Sequence, residues 1–112
     1  MNKGSPASIE ISPRELSELL AQSKRFLLVD VREKWEYEIS RMEGAVLIPM
    51  NEIPASLTRL RDAGEIVLYC HHGLRSFDAA AWLRSKGVEG ARSMSGGIER
   101  WAMEIDPRVP RY

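Results

Sequence analysis

Short, almost wholly apolar runs alternate along this chain with segments whose apolar residues recur every three or four positions. The run Phe26-Leu27-Leu28-Val29-Asp30-Val31 reads as a strand buried on both faces, and so does Ile66-Val67-Leu68-Tyr69. Gly44-Ala45-Val46-Leu47-Ile48-Pro49 predicts another strand, stopped by its proline, and Ala91-Arg92-Ser93-Met94 a weak one. Between them lie helical patterns. Ser12 and Glu15 have capping-box spacing, Pro13 suits the first helical position, and Ile11 and Leu16 stand where a hydrophobic staple would pack. With Leu16, Leu19 and Leu20 as one apolar stripe, a helix is predicted from about 13 to 22. Further helices are predicted over 33–39, with Trp35 and Tyr37 as packing residues, and over 54–60, broken by Ala63-Gly64. Two more follow, over 76–86 with Ser76 as N-cap and Gly87 just past the end, and over 98–103.

Strands alternating with helices predict an α/β fold, a parallel sheet with helices on both faces. Residues 1–8 read as a loose leader, 9–105 as one domain, and 106–112 as a proline-broken tail with no pattern that would bury it. The 112 residues suffice for one domain with a real core. Sixteen basic and sixteen acidic side chains cancel, which argues against nucleic acid or an anionic membrane as the main partner. Residues 1–15 hold no apolar signal-peptide core, and no apolar run approaches the ~18 residues of a membrane span. The single cysteine allows no internal disulfide, so a reducing, cytoplasmic setting is expected.

In a parallel sheet, ligands bind beyond the carboxyl ends of the strands. Cys70 stands at such an end, as do Asp30 and Arg32. The stretch Tyr69-Cys70-His71-His72-Gly73-Leu74-Arg75-Ser76 holds the cysteine and both histidines, and passes from a strand through a glycine-bearing loop into a helix. Such a loop aims backbone N–H groups and the positive end of a helix dipole at one point, where a thiolate is favoured. A cysteine after a buried strand can also be a packed small hydrophobe, but a packed cysteine does not require polar, helix-opening residues after it. Consecutive side chains point apart, so Cys70, His71 and His72 do not make a metal site, and no metal or cofactor is expected. The two histidines read as polar loop residues able to donate hydrogen bonds to a substrate. Asp30 and Arg32 have two readings, strand-end solvation or an ion pair that holds loops around the pocket. Ser95-Gly96-Gly97 reads as a turn that lets the backbone come close to the active loop.

These residues resemble the single-domain rhodaneses, a family of sulfurtransferases. Asp30-Val31-Arg32-Glu33 is similar to the family's D-V-R-E strand end, and Gly44-Ala45 through Ile48-Pro49 to its G-A-x-x-I-P segment. Cys70-x-x-Gly73-x-Arg75-Ser76, followed by Ala79-Ala80, is similar to its active loop and next helix, and Gly96-Gly97 with Trp101 to its closing G-G-x-x-x-W. Ser40-Arg41-Met42-Glu43 departs from the usual G-H-I-P, so Arg41 stands in place of a histidine. The ending Pro110-Arg111-Tyr112 is similar to that of rhodanese domains fused behind adenylating enzymes that activate ubiquitin-like sulfur carriers.

The resemblance implies a rhodanese-like fold with a central parallel sheet of about five strands. It implies Cys70 as nucleophile and the loop His71, His72, Gly73, Leu74, Arg75 and Ser76 as the binding cradle, with Arg75 attracting the sulfonate of a donor such as thiosulfate. Asp30 and Arg32 would support the loop from behind. The implied partners are a small sulfur donor and acceptor, a sulfur-carrier protein or an adenylating enzyme, with the chain a monomer or weak dimer. Two other functions fit parts of the pattern. Rhodanese folds also serve as protein-binding modules, although such modules commonly lack the cysteine. Cysteine-based phosphatases use a C-x5-R loop, whereas Arg75 makes this one C-x4-R, a shorter ring better suited to one terminal sulfur than to a phosphoryl group.

Overall fold

In the computed structural model, which describes residues 8–22 and 25–112, five parallel strands form one sheet. They are β1 (Glu10–Ile11), β2 (Leu27–Asp30), β3 (Val46–Leu47), β4 (Ile66–Tyr69) and β5 (Ala91–Met94), in the order β1-β5-β4-β2-β3. The helices are α1 (Pro13–Ala21), α2 (Lys34–Ile39), α3 (Leu57–Ala63), α4 (Leu74–Ser85) and α5 (Gly97–Glu104), with two short 3₁₀ turns before α3. The expected leader falls almost wholly on residues 1–7, outside the described residues.

Strand β4 shows why the sheet is covered on both sides. Successive side chains of a strand face opposite ways. Ile66 and Leu68 pack with Leu60 of α3 and Ala80 and Leu83 of α4, whereas Val67 and Tyr69 pack with Leu16 of α1 and Ile98 and Trp101 of α5. Both faces are therefore apolar, and the strand reads as an unbroken hydrophobic run. Helix α1 carries the expected capping box: the Ser12 hydroxyl accepts from the Glu15 N–H, and the Glu15 carboxylate from the Ser12 N–H, each at 3.0 Å. The two-residue β1, paired with β5, is too short to announce itself in the sequence.

Three expectations are corrected. Helix α4 begins at Leu74, not after Ser76: Gly73 is its N-cap, in the left-handed region at φ 104°. A side chain there would be strained by that φ and would bring its Cβ to a tight 3.1 Å from the Gly96 nitrogen, so the position favours glycine. In α2, Trp35 is 57% exposed, and the buried residue is Glu36. The tail is not loose. Val109 lies in the core beside Trp101 and Ala102, Arg111 pairs with Glu99 at 2.6 Å, and Tyr112 packs on the loop after β4.

Candidate active site

Strands β2, β4 and β5 deliver Asp30, Cys70 and Met94 to one edge of the sheet, with Asp30 in register with Tyr69. Cys70 follows the buried β4 directly and is 1% exposed. Its sulfur receives the Gly73 N–H at 3.1 Å and the Ser76 N–H at 3.3 Å. The Phe77 N–H already bonds to the Gly73 carbonyl, so those of Leu74, Arg75 and Ser76, in the first turn of α4, are left to partners outside the helix. Donors and helix dipole thus converge on Cys70 Sγ, an arrangement that suits negative charge on the sulfur or on an atom attached to it.

The loop is held from behind by the start of α5. Ile98 N–H donates to the Cys70 carbonyl at 2.9 Å and Glu99 N–H to the His71 carbonyl at 3.1 Å. Gly97 lies so close that any Cβ would overlap the carbonyls of Cys70 and His71, as the close approach expected of the glycine turn requires. Ser76 does not cap its helix. Its hydroxyl lies 3.5 Å from Cys70 Sγ, donates to the Gly73 carbonyl and sits 2.7 Å from the hydroxyl of Ser93 on β5. Both serines are fully buried, so the hydroxyl nearest the sulfur is itself backed by a second one.

Asp30 and Arg32 do form an ion pair. Arg32 Nε and Nη2 meet the two oxygens of Asp30 at 2.9 and 2.7 Å, and both side chains are fully buried. Nη2 also donates to the Ser40 carbonyl, and Nη1 donates to the Tyr112 hydroxyl at 2.7 Å. Burial opposes the charge on Arg32, but the bonds to Asp30 and Tyr112 outweigh it and raise its pKa. Arg75 stands differently from expectation. Its two terminal nitrogens bind Glu36 at 2.7 and 2.9 Å, so its charge is already matched rather than presented open to a donor. Glu36 accepts four hydrogen bonds: two from Arg75, one from the Glu33 N–H at 2.9 Å and one from the Tyr112 hydroxyl at 2.7 Å. Burial would push its pKa up, yet these donors bring it down to about 2.

His71 is stacked between His72 and Tyr112, with ring centres 3.9 Å apart on each side. Desolvation, aided by the neighbouring His72, holds its pKa below the usual histidine value. Leu74, 79% exposed, stands out from the first turn of α4. Reading the sequence missed Glu36, Ser93 and Tyr112. Only Glu36 left a trace, three residues after Glu33 at the start of a helical pattern, where a capping carboxylate belongs. A concavity of about 550 Å³ between Arg41, Trp101 and Arg108 touches no loop residue; convergent donors, not hollow size, mark this site.

Comparisons with known proteins place the chain in a family. The family model described as Rhodanese-like domain matches residues 12–104. The "Probable adenylyltransferase/sulfurtransferase MoeZ" of Mycobacterium tuberculosis is 36% identical over 104 residues, 91% of this chain, which spans only 26% of that protein. A protein named "Sulfurtransferase" from Allochromatium vinosum is 34% identical over 89% of this chain and 94% of its own length. Among solved structures, the human single-domain sulfurtransferase TSTD1 superposes with a TM-score of 0.78 at 28% identity, covering 88% of this chain and 98% of that one. Among the described residues, no helix is long and apolar enough to cross a membrane.

Proposed function

This chain belongs to the rhodanese-like domain family, and from that premise we propose that it is a sulfurtransferase carrying sulfur as a persulfide on Cys70. The observation that supports the reading most directly is the convergence of the Gly73 and Ser76 N–H groups on Cys70 Sγ. In the first step the Cys70 thiolate attacks the outer sulfur of a donor. With thiosulfate, a sulfur–sulfur bond to Cys70 forms, the sulfur–sulfur bond of the donor breaks, and sulfite leaves with the bonding electron pair. The product, Cys70–S–S⁻, places its charge on a terminal sulfur within the ring of N–H groups, which stabilises it as an oxyanion hole stabilises oxygen. In the second step a nucleophile such as cyanide or a thiolate attacks that outer sulfur, its bond to Cys70 breaks, and the Cys70 thiolate leaves with the bonding pair. With no second cysteine, the sulfur cannot leave through an internal disulfide.

The likeness to adenylyltransferase/sulfurtransferase proteins supports a sulfur-carrier protein as acceptor. A single thiol that must stay reduced suits the cytoplasm. The test is the intact mass of the chain after incubation with thiosulfate. The expected result is one added sulfur atom, removed by cyanide and absent from Cys70→Ser, whose hydroxyl is too weak a nucleophile to replace the thiolate. Turnover of aryl phosphate without sulfur loading would support a phosphatase instead.

A further inference from the structure

The tail and the loop meet at Tyr112, whose phenol ring and hydroxyl make separate contacts. The ring lies parallel to His71, at 8° and 3.9 Å, and forms an edge contact with Trp35 at 6.1 Å. The hydroxyl accepts from Arg32 Nη1 and donates to Glu36 Oε2, both at 2.7 Å. It is therefore the link between two ion pairs, Asp30–Arg32 at the end of β2 and Glu36–Arg75 at the start of α4. A continuous chain of hydrogen bonds runs from the sheet through Tyr112 to the residue that precedes Ser76, whose N–H faces the sulfur. The tail holds the tyrosine in place through Val109 in the core and Arg111 on Glu99, whose own N–H binds the His71 carbonyl. Both ends of the loop are thus gripped: His71 by the ring, Arg75 through Glu36 by the hydroxyl.

We propose that Tyr112 is a positioning residue for sulfur transfer, acting through His71 and through the Glu36–Arg75 pair to hold the N–H ring around Cys70 in its working shape. The proposal rests on the Cys70 persulfide reading. Tyr112 bonds to neither Cys70 nor its donors, so its effect falls on the rate of the bond-making step. A displacement of about 1 Å in such a ring can cost on the order of a hundredfold in rate.

The experiment compares the full chain with Tyr112→Phe and Tyr112→Ala. Single-turnover loading of Cys70 by thiosulfate is followed as a function of donor concentration, and the ring-proton resonances of His71 are recorded. Tyr112→Ala should load roughly 10–100 times more slowly at saturating donor, with half-saturation changed less than about threefold. The His71 ring protons should lose the ring-current shift from Tyr112. Tyr112→Phe, which keeps the stack and loses the bridge, should fall between the two and retain the shift. A thermal melt of each variant supplies the folded fraction. Loading by Tyr112→Ala at the native rate, or slowed only in proportion to unfolded protein, would assign the residue to packing and overturn the proposal. Faster loading would make it a cover over the site, and slower loading with His71 unmoved would place the effect elsewhere; either result also overturns it. A native chain that takes up no sulfur would instead defeat the persulfide reading, and the His71 resonances would still report whether the stack exists.

Discussion

Glu36 is a carboxylate with 4% of its side chain exposed, and such a group is tolerated only where its charge is matched and its oxygens are occupied. Arg75, the Glu33 N–H and Tyr112 meet that condition and depress its pKa from an ordinary 4.5 to about 2, against the opposing effect of burial. A depressed carboxylate stabilises the fold where it is ionised in both states and loses that contribution on protonation. The stability from Glu36 is therefore fully present above about pH 4.5 and is lost as pH falls toward 2. By linkage it amounts to about 3 kcal/mol at most. Glu36→Gln should be less stable near neutrality and show a flatter decline in melting temperature across that acid window. A native-like acid decline in the variant would show that other carboxylates dominate it.

The loop between β4 and α4 works as an element because its length places two N–H groups on one sulfur. From Gly73 to Ser76 the chain advances by one helical turn, and both residues point N–H groups at Cys70 Sγ, at 3.1 and 3.3 Å. Inserting one glycine between Gly73 and Leu74 makes the spacing C-x5-R and carries the Ser76 N–H off the sulfur. Sulfur transfer should then drop roughly a hundredfold, although Cys70, Arg75 and α4 all remain. Aryl phosphate hydrolysis should stay weak, since no residue is assigned as general acid for the leaving group. Assays of the native and inserted loops with thiosulfate and with an aryl phosphate check both statements; undiminished sulfur transfer in the longer loop would contradict the role given to its length.

At the scale of the whole molecule, residues 106–112 belong to the domain rather than trailing from it. Removing them takes Val109 from the core and Tyr112 from the rim of the loop. Burial of one valine contributes about 1.5–2 kcal/mol. The truncated chain should thus melt at a lower temperature and transfer sulfur to cyanide more slowly, in contrast to the unchanged activity that a patternless tail implies. Calorimetry with the cyanide assay on the truncated chain tests this. Equal stability and rate would return the segment to the status of a loose tail.

Residue order makes legible whatever short-range pattern carries. Strands β2 and β4 are runs of apolar residues because both their faces are covered, and α1 announces itself through Ser12, Pro13 and Glu15 within one turn. Cys70, Gly73 and Ser76 were legible for the same reason: the cradle is built from consecutive residues, and its N–H groups need no side-chain code. A serine in a first turn resembles a cap, so local pattern puts the start of α4 two residues late, and only Gly96 and Ser93, brought near by the fold, distinguish the residue that turns the chain. The partners of the charges are set by long-range folding. Arg75 reaches Glu36 across 39 positions and Tyr112 reaches it across 76, separations over which no local periodicity survives. Folding pairs Arg75 with the Glu36 carboxylate, and lays a proline-broken ending against the loop after β4. Both outcomes follow from which surfaces meet when the two faces of one sheet are covered.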